Sequence, residues 1–260
     1  MFDALQIAAT GMHAQQMNVD TIANNLANMN TMGFKKSRVG FADLISLGIT
    51  RNDHSIDTQG VGRERTGLGV GVSSVTRLFD LGDVKRTDSP MDILIAGDGF
   101  LEVVLPDGGR AYSRGGTLQL NGEGMLATQS GQALKPGINI PTNADSIVIA
   151  SDGKISAKLP NQSSLVELGT LDMVRFTNAG ALEAIGDNLY KATDSSGEAV
   201  AGRAGEDGLG TLQQGQLEAS NVKLVDEMVN LMVAQRAYEA SVKVAQASDE
   251  MLGLINNLRK

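Results

Sequence analysis

The residues that could do chemistry are few and scattered. There are two histidines, His13 and His54, and no cysteine, which excludes a disulfide framework and a thiolate metal site. Neither histidine has a nucleophile or a ligand partner at a recognisable spacing, so both read as structural. Asp88, Asp92 and Asp98 form a loose acidic cluster around Gly97 and Gly99. Paired carboxylates hydrolyse glycosidic bonds, but acidic residues alternating with glycine are more often solvated turn formers. Gly67-Leu68-Gly69-Val70-Gly71 lacks the third glycine at the spacing a dinucleotide-binding loop requires, and strand-like residues follow it where that loop needs a helix. No catalytic, cofactor-binding or metal-binding residue is assigned, and no cofactor is expected.

Composition removes further classes. Of the 260 residues 42% are hydrophobic, enough for a core, while only 3% are aromatic and tryptophan is absent. Aromatic-lined ligand pockets and base-stacking surfaces are disfavoured on that count. The net charge of −8 argues against nucleic acid, since phosphate binding requires clustered Lys and Arg. No apolar run reaches the roughly 18–20 residues needed to span a bilayer. Asp3 lies near the start and the first basic residue is Lys35, so a cleavable secretory signal is not expected. That leaves a cytoplasmic location or export by a route that reads no such signal.

The elements that must position these residues are of two kinds. Residues 2–29 and 222–256 read as long amphipathic helices. Along the first, Leu5, Met12, Val19 and Leu26 recur every seven residues, with Ala8, Ile22 and Met29 on companion positions. Along the second, Leu224, Met228, Leu231, Tyr238, Val242, Ala245 and Leu252 alternate in steps built from four and three. Such a narrow stripe suits helix-to-helix packing. Val225, Val229, Met232, Val233 and Val244 carry apolar character beyond that stripe, and a helix apolar over much of its circumference must be covered on several sides. This points to assembly. Asn24, Asn25, Asn28 and Asn30 are poor helix formers; the first three read either as inter-subunit hydrogen-bonding groups or as a fraying helix end. Ser220 or Asn221 is the expected cap of the second helix, with Asp226 and Glu227 complementing its dipole.

Between the helices the period changes. The segment from Phe41 to Thr66 has little periodicity and reads as a loop or arm. From Leu68 onward, apolar runs such as Ile93–Ala96, Leu101–Leu105 and Ile147–Ala150 are bounded by turn sequences including Pro106-Asp107-Gly108 and Ser151-Asp152-Gly153, the pattern of an antiparallel sandwich or barrel. The expected class is α+β, with long N- and C-terminal helices forming a coiled-coil-like hairpin and a mainly antiparallel β domain inserted in it. The expected boundaries are 1–40 for the N-terminal helix, 41–67 for the arm, 68–215 for the β domain and 216–260 for the C-terminal helix.

Several stretches carry a resemblance. Ala23-Asn24-Asn25-Leu26-Ala27-Asn28 followed by Thr31, Gly33, Phe34 and Lys35 resembles the N-terminal signature of bacterial flagellar rod and hook proteins. Glu218-Ala219-Ser220-Asn221-Val222, Glu227-Met228-Val229 and Gln235-Arg236-Ala237-Tyr238-Glu239 resemble that family's C-terminal signature. Gly97-Asp98-Gly99-Phe100, Tyr112-Ser113-Arg114-Gly115-Gly116 and Ile185-Gly186-Asp187-Asn188-Leu189-Tyr190 fit its central pieces. Ser241 stands where the family usually has Asn, and Leu118 where an aromatic is common. Length and the stretches Leu68–Gly99 and Asn178–Gly197 are most similar to distal-rod members.

The resemblance implies a non-enzymatic structural subunit of a periplasmic helical tube that transmits torque and serves as an export channel. Its termini would form an inner coiled-coil layer, with the β domain outside. The implied subunit-interface residues are Leu5, Met12, Val19, Ile22, Asn24, Asn25, Leu26 and Asn28 at one end. At the other they are Leu224, Met228, Leu231, Gln235, Arg236, Tyr238, Val242 and Leu252. The implied partners are further copies of the chain, other rod proteins and the hook, the surrounding basal-body rings and the flagellar type III export apparatus. The alternatives are a proximal-rod or hook member of the same family, or a glycan-binding or glycan-cleaving β domain whose helices only dimerise.

Overall fold

The computed structural model describes residues 2–47, 65–141, 143–160 and 165–258. The chain divides into two compact units. One is built from the N-terminal helix up to Leu26, the stretch Ser37–Thr76 and the chain from Lys223 onward; the other combines Ala27–Lys36 with Arg77–Val222.

The first unit holds helices α1 (Phe2–Ala27) and α2 (Leu224–Leu258) and a two-stranded sheet of β1 (Ser37–Leu47) and β2 (Arg65–Arg77). Asp226 and Glu227 lie in the first turn of α2, where carboxylates complement the helix dipole. The glycines once compared with a nucleotide loop lie in β2, and Gly69 explains why one is needed there. Its φ is +111°, and a Cβ at this position would sit 2.2 Å from Thr10 Oγ1 on α1. Only glycine lets the strand come so close, and the Val70 N–H then donates to Thr10 Oγ1 at 3.3 Å. Of the stretch 41–67 expected as a loop or arm, the described flanks are strand; residues 48–64, His54 among them, lie outside the described residues.

The expectation of a coiled-coil-like hairpin is overturned. The class is α+β, with a helix at each end and β-rich structure between, but the helices do not present a coiled-coil seam. Such a seam buries large residues at its heptad positions. On α2, Leu224 is 44% exposed, Met228 50% and Tyr238 40%. Among the described side chains, the buried residues of that helix are Glu227, Ala234 and Ser248, and those of α1 are Ala8, Ala14, Ile22 and Asn25. Most of these side chains are too short to act as interdigitating knobs, and Leu224, Met228 and Tyr238 of the heptad stripe lie on an open face.

The second unit is a β structure whose paired strands are all antiparallel among the described residues. After β3 (Val84–Arg86) come β4 (Asp92–Ala96), β5 (Phe100–Val104), β6 (Arg110–Ser113) and β7 (Gly115–Leu120). These four belong to an eleven-stranded sheet, in which β4 pairs with β7 and β5 with β6. Alternation along β5 serves two cores at once. Leu101 and Val103 enter an aliphatic cluster with Ile93, Ile95, Leu126 and Ile155. Phe100 joins an aromatic one with Tyr112, Phe176 and Tyr190, with Phe79 against it. Ring centroids there lie 4.8–6.1 Å apart in edge-to-face arrangement, the geometry that ring quadrupoles favour. Five of the nine phenylalanines and tyrosines are thus committed to packing, which leaves few for a ligand surface.

Candidate functional site

Three charged residues from distant parts of the chain meet inside the second unit. Lys35 is 0% exposed, Glu218 3% and Arg114 4%. Lys35 Nζ lies 2.5 Å from Glu218 Oε1 and also donates to the Asp80 carbonyl at 2.7 Å. The same carboxylate oxygen accepts the Gly82 N–H at 2.9 Å. Arg114 Nε faces Glu218 Oε2 at 3.8 Å, while its Nη1 donates to the Gly99 carbonyl at 2.8 Å and its guanidinium lies 5.6 Å from the centre of the Phe100 ring. Neither Arg114 Nε nor Glu218 Oε2 has a hydrogen-bond partner among the described residues, so their contact is an ion pair only. Burial pushes the Lys35 ammonium below the usual lysine value, against the Glu218 bond and charge; burial likewise lowers Arg114, with Glu218 opposing.

Backbone and amide bonds extend this clasp. The Gly33 N–H donates to the Glu218 carbonyl at 2.7 Å and the Leu78 N–H to the Lys36 carbonyl at 3.0 Å. Asn221 accepts the Lys36 N–H at 2.8 Å and donates to the carbonyls of Leu78 and Asp80. Its side chain is therefore spent here and not on capping α2. Asn188 donates to the Met32 carbonyl at 2.8 Å. With all three side chains at most 4% exposed, the cluster offers no surface to a ligand. What it does is tie the segment around Lys35 to the returning chain around Glu218. Sequence reasoning quoted all three charged residues inside motifs without assigning them this role. The available signal was that Lys35 is the first basic residue in the chain and follows Gly33-Phe34.

In the first unit the expected interface residues fall into three groups. Ile22 and Asn25 are buried; Leu5, Met12, Val19, Leu26, Leu231, Val242 and Leu252 are half-buried; Asn24, Leu224, Met228, Gln235, Arg236 and Tyr238 are exposed. Val19, Gln235 and Tyr238 line one groove of about 380 Å³ with Gln16 and Glu239. Asn25 bonds within its own chain: its Oδ1 accepts the Ser37 N–H and its Nδ2 donates to the Ser37 carbonyl, both at 2.9 Å. Asn28, in the second unit, is half-buried. Arg236 pairs with Glu239 at 2.9 Å on the surface. Exposed apolar residues on α2 include Val225 at 71%, Val233 at 62%, Met232 at 56% and Val229 at 48%.

The residues weighed for catalysis are dispersed in role. His13 is exposed on α1. Asp88 pairs with Arg86 at 2.6 Å, Asp92 is buried in β4, and the Asp98 carbonyl accepts the Gly210 N–H. Among the described residues no helix is long and apolar enough to cross a membrane.

Known proteins are similar in sequence along the whole chain. Residues 5–35 match the model of flagella basal body rod proteins, 94–157 that of the flagellar hook protein FlgE/F/G D1 domain, and 213–258 that of the flagellar basal body rod FlgEFG protein C-terminal. Flagellar basal-body rod protein FlgG of Borreliella burgdorferi is 43% identical, covering 100% of both chains. FlgG of Caulobacter vibrioides is 44% identical over 98% of this chain and 99% of its own, and FlgG of Bacillus subtilis is 36% identical over 100% of both. The chain belongs to the flagellar basal-body rod protein FlgG family. It is a structural subunit of the flagellar rod. The three matched spans each contribute one member of the clasp: Lys35, Arg114 and Glu218. The family's separate signatures thus meet at one buried point.

Proposed function

We propose that this subunit of the flagellar distal rod builds a rigid helical homopolymer by burying the exposed apolar face of α2 against neighbouring copies. The observation that carries the reading is that face itself, with Val225, Val229, Met232 and Val233 between 48% and 71% exposed on a 35-residue helix. A helix apolar on this scale requires cover, and fully burying each such side chain contributes up to about 1.5–3 kcal/mol. Heterologous contacts repeated without closure give a filament. Leu224, Met228, Gln235, Arg236 and Tyr238 are the exposed contacts expected from the sequence, and the groove beside Tyr238 receives a neighbour's side chains. The tube crosses the periplasm, transmits torque and conducts exported subunits. Its further partners are the adjoining rod proteins, the hook, the surrounding rings and the type III export apparatus, and it carries out no enzymatic reaction. Replacing Val229 and Val233 together by Asp tests this. The double variant is expected to remain monomeric by sedimentation at concentrations where the parent forms tubes, with its β unit still folded. Tube formation at the parental concentration would refute the role given to this face.

A further inference from the structure

We propose that Met228, Met232 and Met251 make α2 an oxidation-sensitive site, at which a peroxide blocks the subunit from joining a tube. The effect on tubes rests on the assembly proposed for the apolar face of α2; the oxidation itself does not. The chain has no cysteine, so its 11 methionines are its only sulfur atoms. They are unevenly placed. Met12, Met17, Met29, Met32, Met91 and Met125 are half-buried, and Met173 is fully buried. Met228 is 50% exposed, Met232 56% and Met251 46%. Among the described residues, every exposed methionine therefore lies on this one helix.

Position decides what oxidation does. Met228 and Met232 are about one helical turn apart, and Val225, Val229 and Val233 stand among them with their side chains exposed. Met251 lies about 28 Å further along the axis, at about 1.5 Å per residue, where Leu254 and Ile255 are also exposed. Met173 supplies the contrast. It sits in the aliphatic cluster of the β unit, so close to Gly99 that a Cβ built there would collide with its Cε. Neither an oxidant nor an added oxygen has room at that sulfur.

The reaction is a two-electron oxygen transfer from hydrogen peroxide. A sulfur lone pair attacks one peroxide oxygen, the O–O bond breaks and an S–O bond forms. The hydroxide released takes the proton left on the transferred oxygen and departs as water. Sulfur is oxidised and peroxide reduced, and a flexible apolar side chain becomes a polar, chiral sulfoxide. In the monomer water solvates that oxygen. At an apolar contact between copies it would lose the water and gain no donor, and a buried acceptor without a partner is disfavoured. Only reduced subunits then join the tube, and burial afterwards shields the same sulfurs.

The full-length monomer is treated with hydrogen peroxide, quenched at intervals, and the gain of oxygen at each methionine is followed by peptide mass spectrometry. Met228, Met232 and Met251 are expected to oxidise at least tenfold faster than Met173 and ahead of the half-buried six. Oxidation of these three is expected to lower tube yield by sedimentation at least tenfold with circular dichroism unchanged. The two methionine sulfoxide reductases, one for each epimer, are expected to restore it. Met228→Leu, Met232→Leu and Met251→Leu together remove the three sulfurs at similar volume. The yield of that variant before and after peroxide is expected to differ by less than twofold; if the variant itself assembles poorly, the reductase arm carries the test. Oxidation that spreads evenly over all the methionines would overturn the site. Undiminished tube formation by the oxidised parent, or no recovery with the reductases, would overturn its effect on assembly and leave the apolar-face reading standing. Failure of the unoxidised parent to form tubes would remove that reading and this inference together.

Discussion

Removing one charge from the Lys35–Glu218–Arg114 clasp tests whether Glu218 is the shared anion that holds the two cations inside. At an effective dielectric of about 20, charges 2.5 Å apart attract by about 7 kcal/mol and charges 3.8 Å apart by about 4 kcal/mol. Each ion also bears several kcal/mol of desolvation, so the net value of the cluster is far smaller than either figure. Breaking it from one side is another matter. Lys35→Met leaves Glu218 buried with the more distant Arg114 and the Gly82 N–H, and is expected to cost about 3–5 kcal/mol. Glu218→Gln keeps the Gly82 acceptor but leaves two buried cations without an anion, and is expected to cost more than Lys35→Met. In the double variant the Lys35 charge is no longer there to be stranded. Its cost should fall short of the sum of the singles by at least about 2 kcal/mol, within the range of measured couplings between residues in contact. Urea unfolding followed by tyrosine fluorescence suits the measurement, because there is no tryptophan and two of the three tyrosines lie in the adjoining aromatic cluster. Additivity of the two substitutions to within about 0.5 kcal/mol, or a milder loss for Glu218→Gln than for Lys35→Met, would show that Glu218 is not the shared anion.

Gly82→Ala places a Cβ 2.1 Å from the Ala219 carbonyl oxygen and should lower the urea-derived stability by about 1–3 kcal/mol. Gly122→Ala, which meets nothing within 4 Å, should change it by less than about 0.5 kcal/mol. Burial raises Tyr190 above its ordinary value of 10.0, with the Arg77 charge opposing, and burial raises Tyr112 as well. Above pH 10.0 the unfolded chain therefore loses tyrosine protons that the folded chain retains, and stability falls as pH rises through that window. Tyr190→Phe should flatten this alkaline decline, measured by urea unfolding at stepped pH. The lowered value of Lys35 acts in the opposite sense, since below 10.5 the unfolded state holds its proton more tightly and stability rises with pH there. An undiminished decline in Tyr190→Phe would contradict the assignment.

Periodicity and turn chemistry made the elements legible. The steps of four and three in 222–256 and the turn sequences between short apolar runs led to α2 and the antiparallel sheet. What periodicity could not supply was which face of a helix is buried. Large apolar residues recurring every seven positions look the same whether they form an internal seam or an open surface. Here Met228 and Tyr238 are exposed, while Ala234 and Ser248 are buried. The Asn-rich block was legible as hydrogen-bonding chemistry, but not that Asn25 spends its amide on Ser37 in its own chain. The clasp stayed hidden for a different reason. Its members are separated by 79 and 104 positions in the chain, and no local pattern announces that Lys35, Arg114 and Glu218 will share one carboxylate.

The rod subunit assembles, on this reading, because further copies of the chain cover the apolar face of α2. Electron cryomicroscopy of the concentrated full-length protein tests it most directly. Tubes are expected in which Val225, Val229, Met232 and Val233 lie at subunit contacts and lose their exposure. Tubes held together only through the β unit, with those four side chains still in solvent, would contradict it.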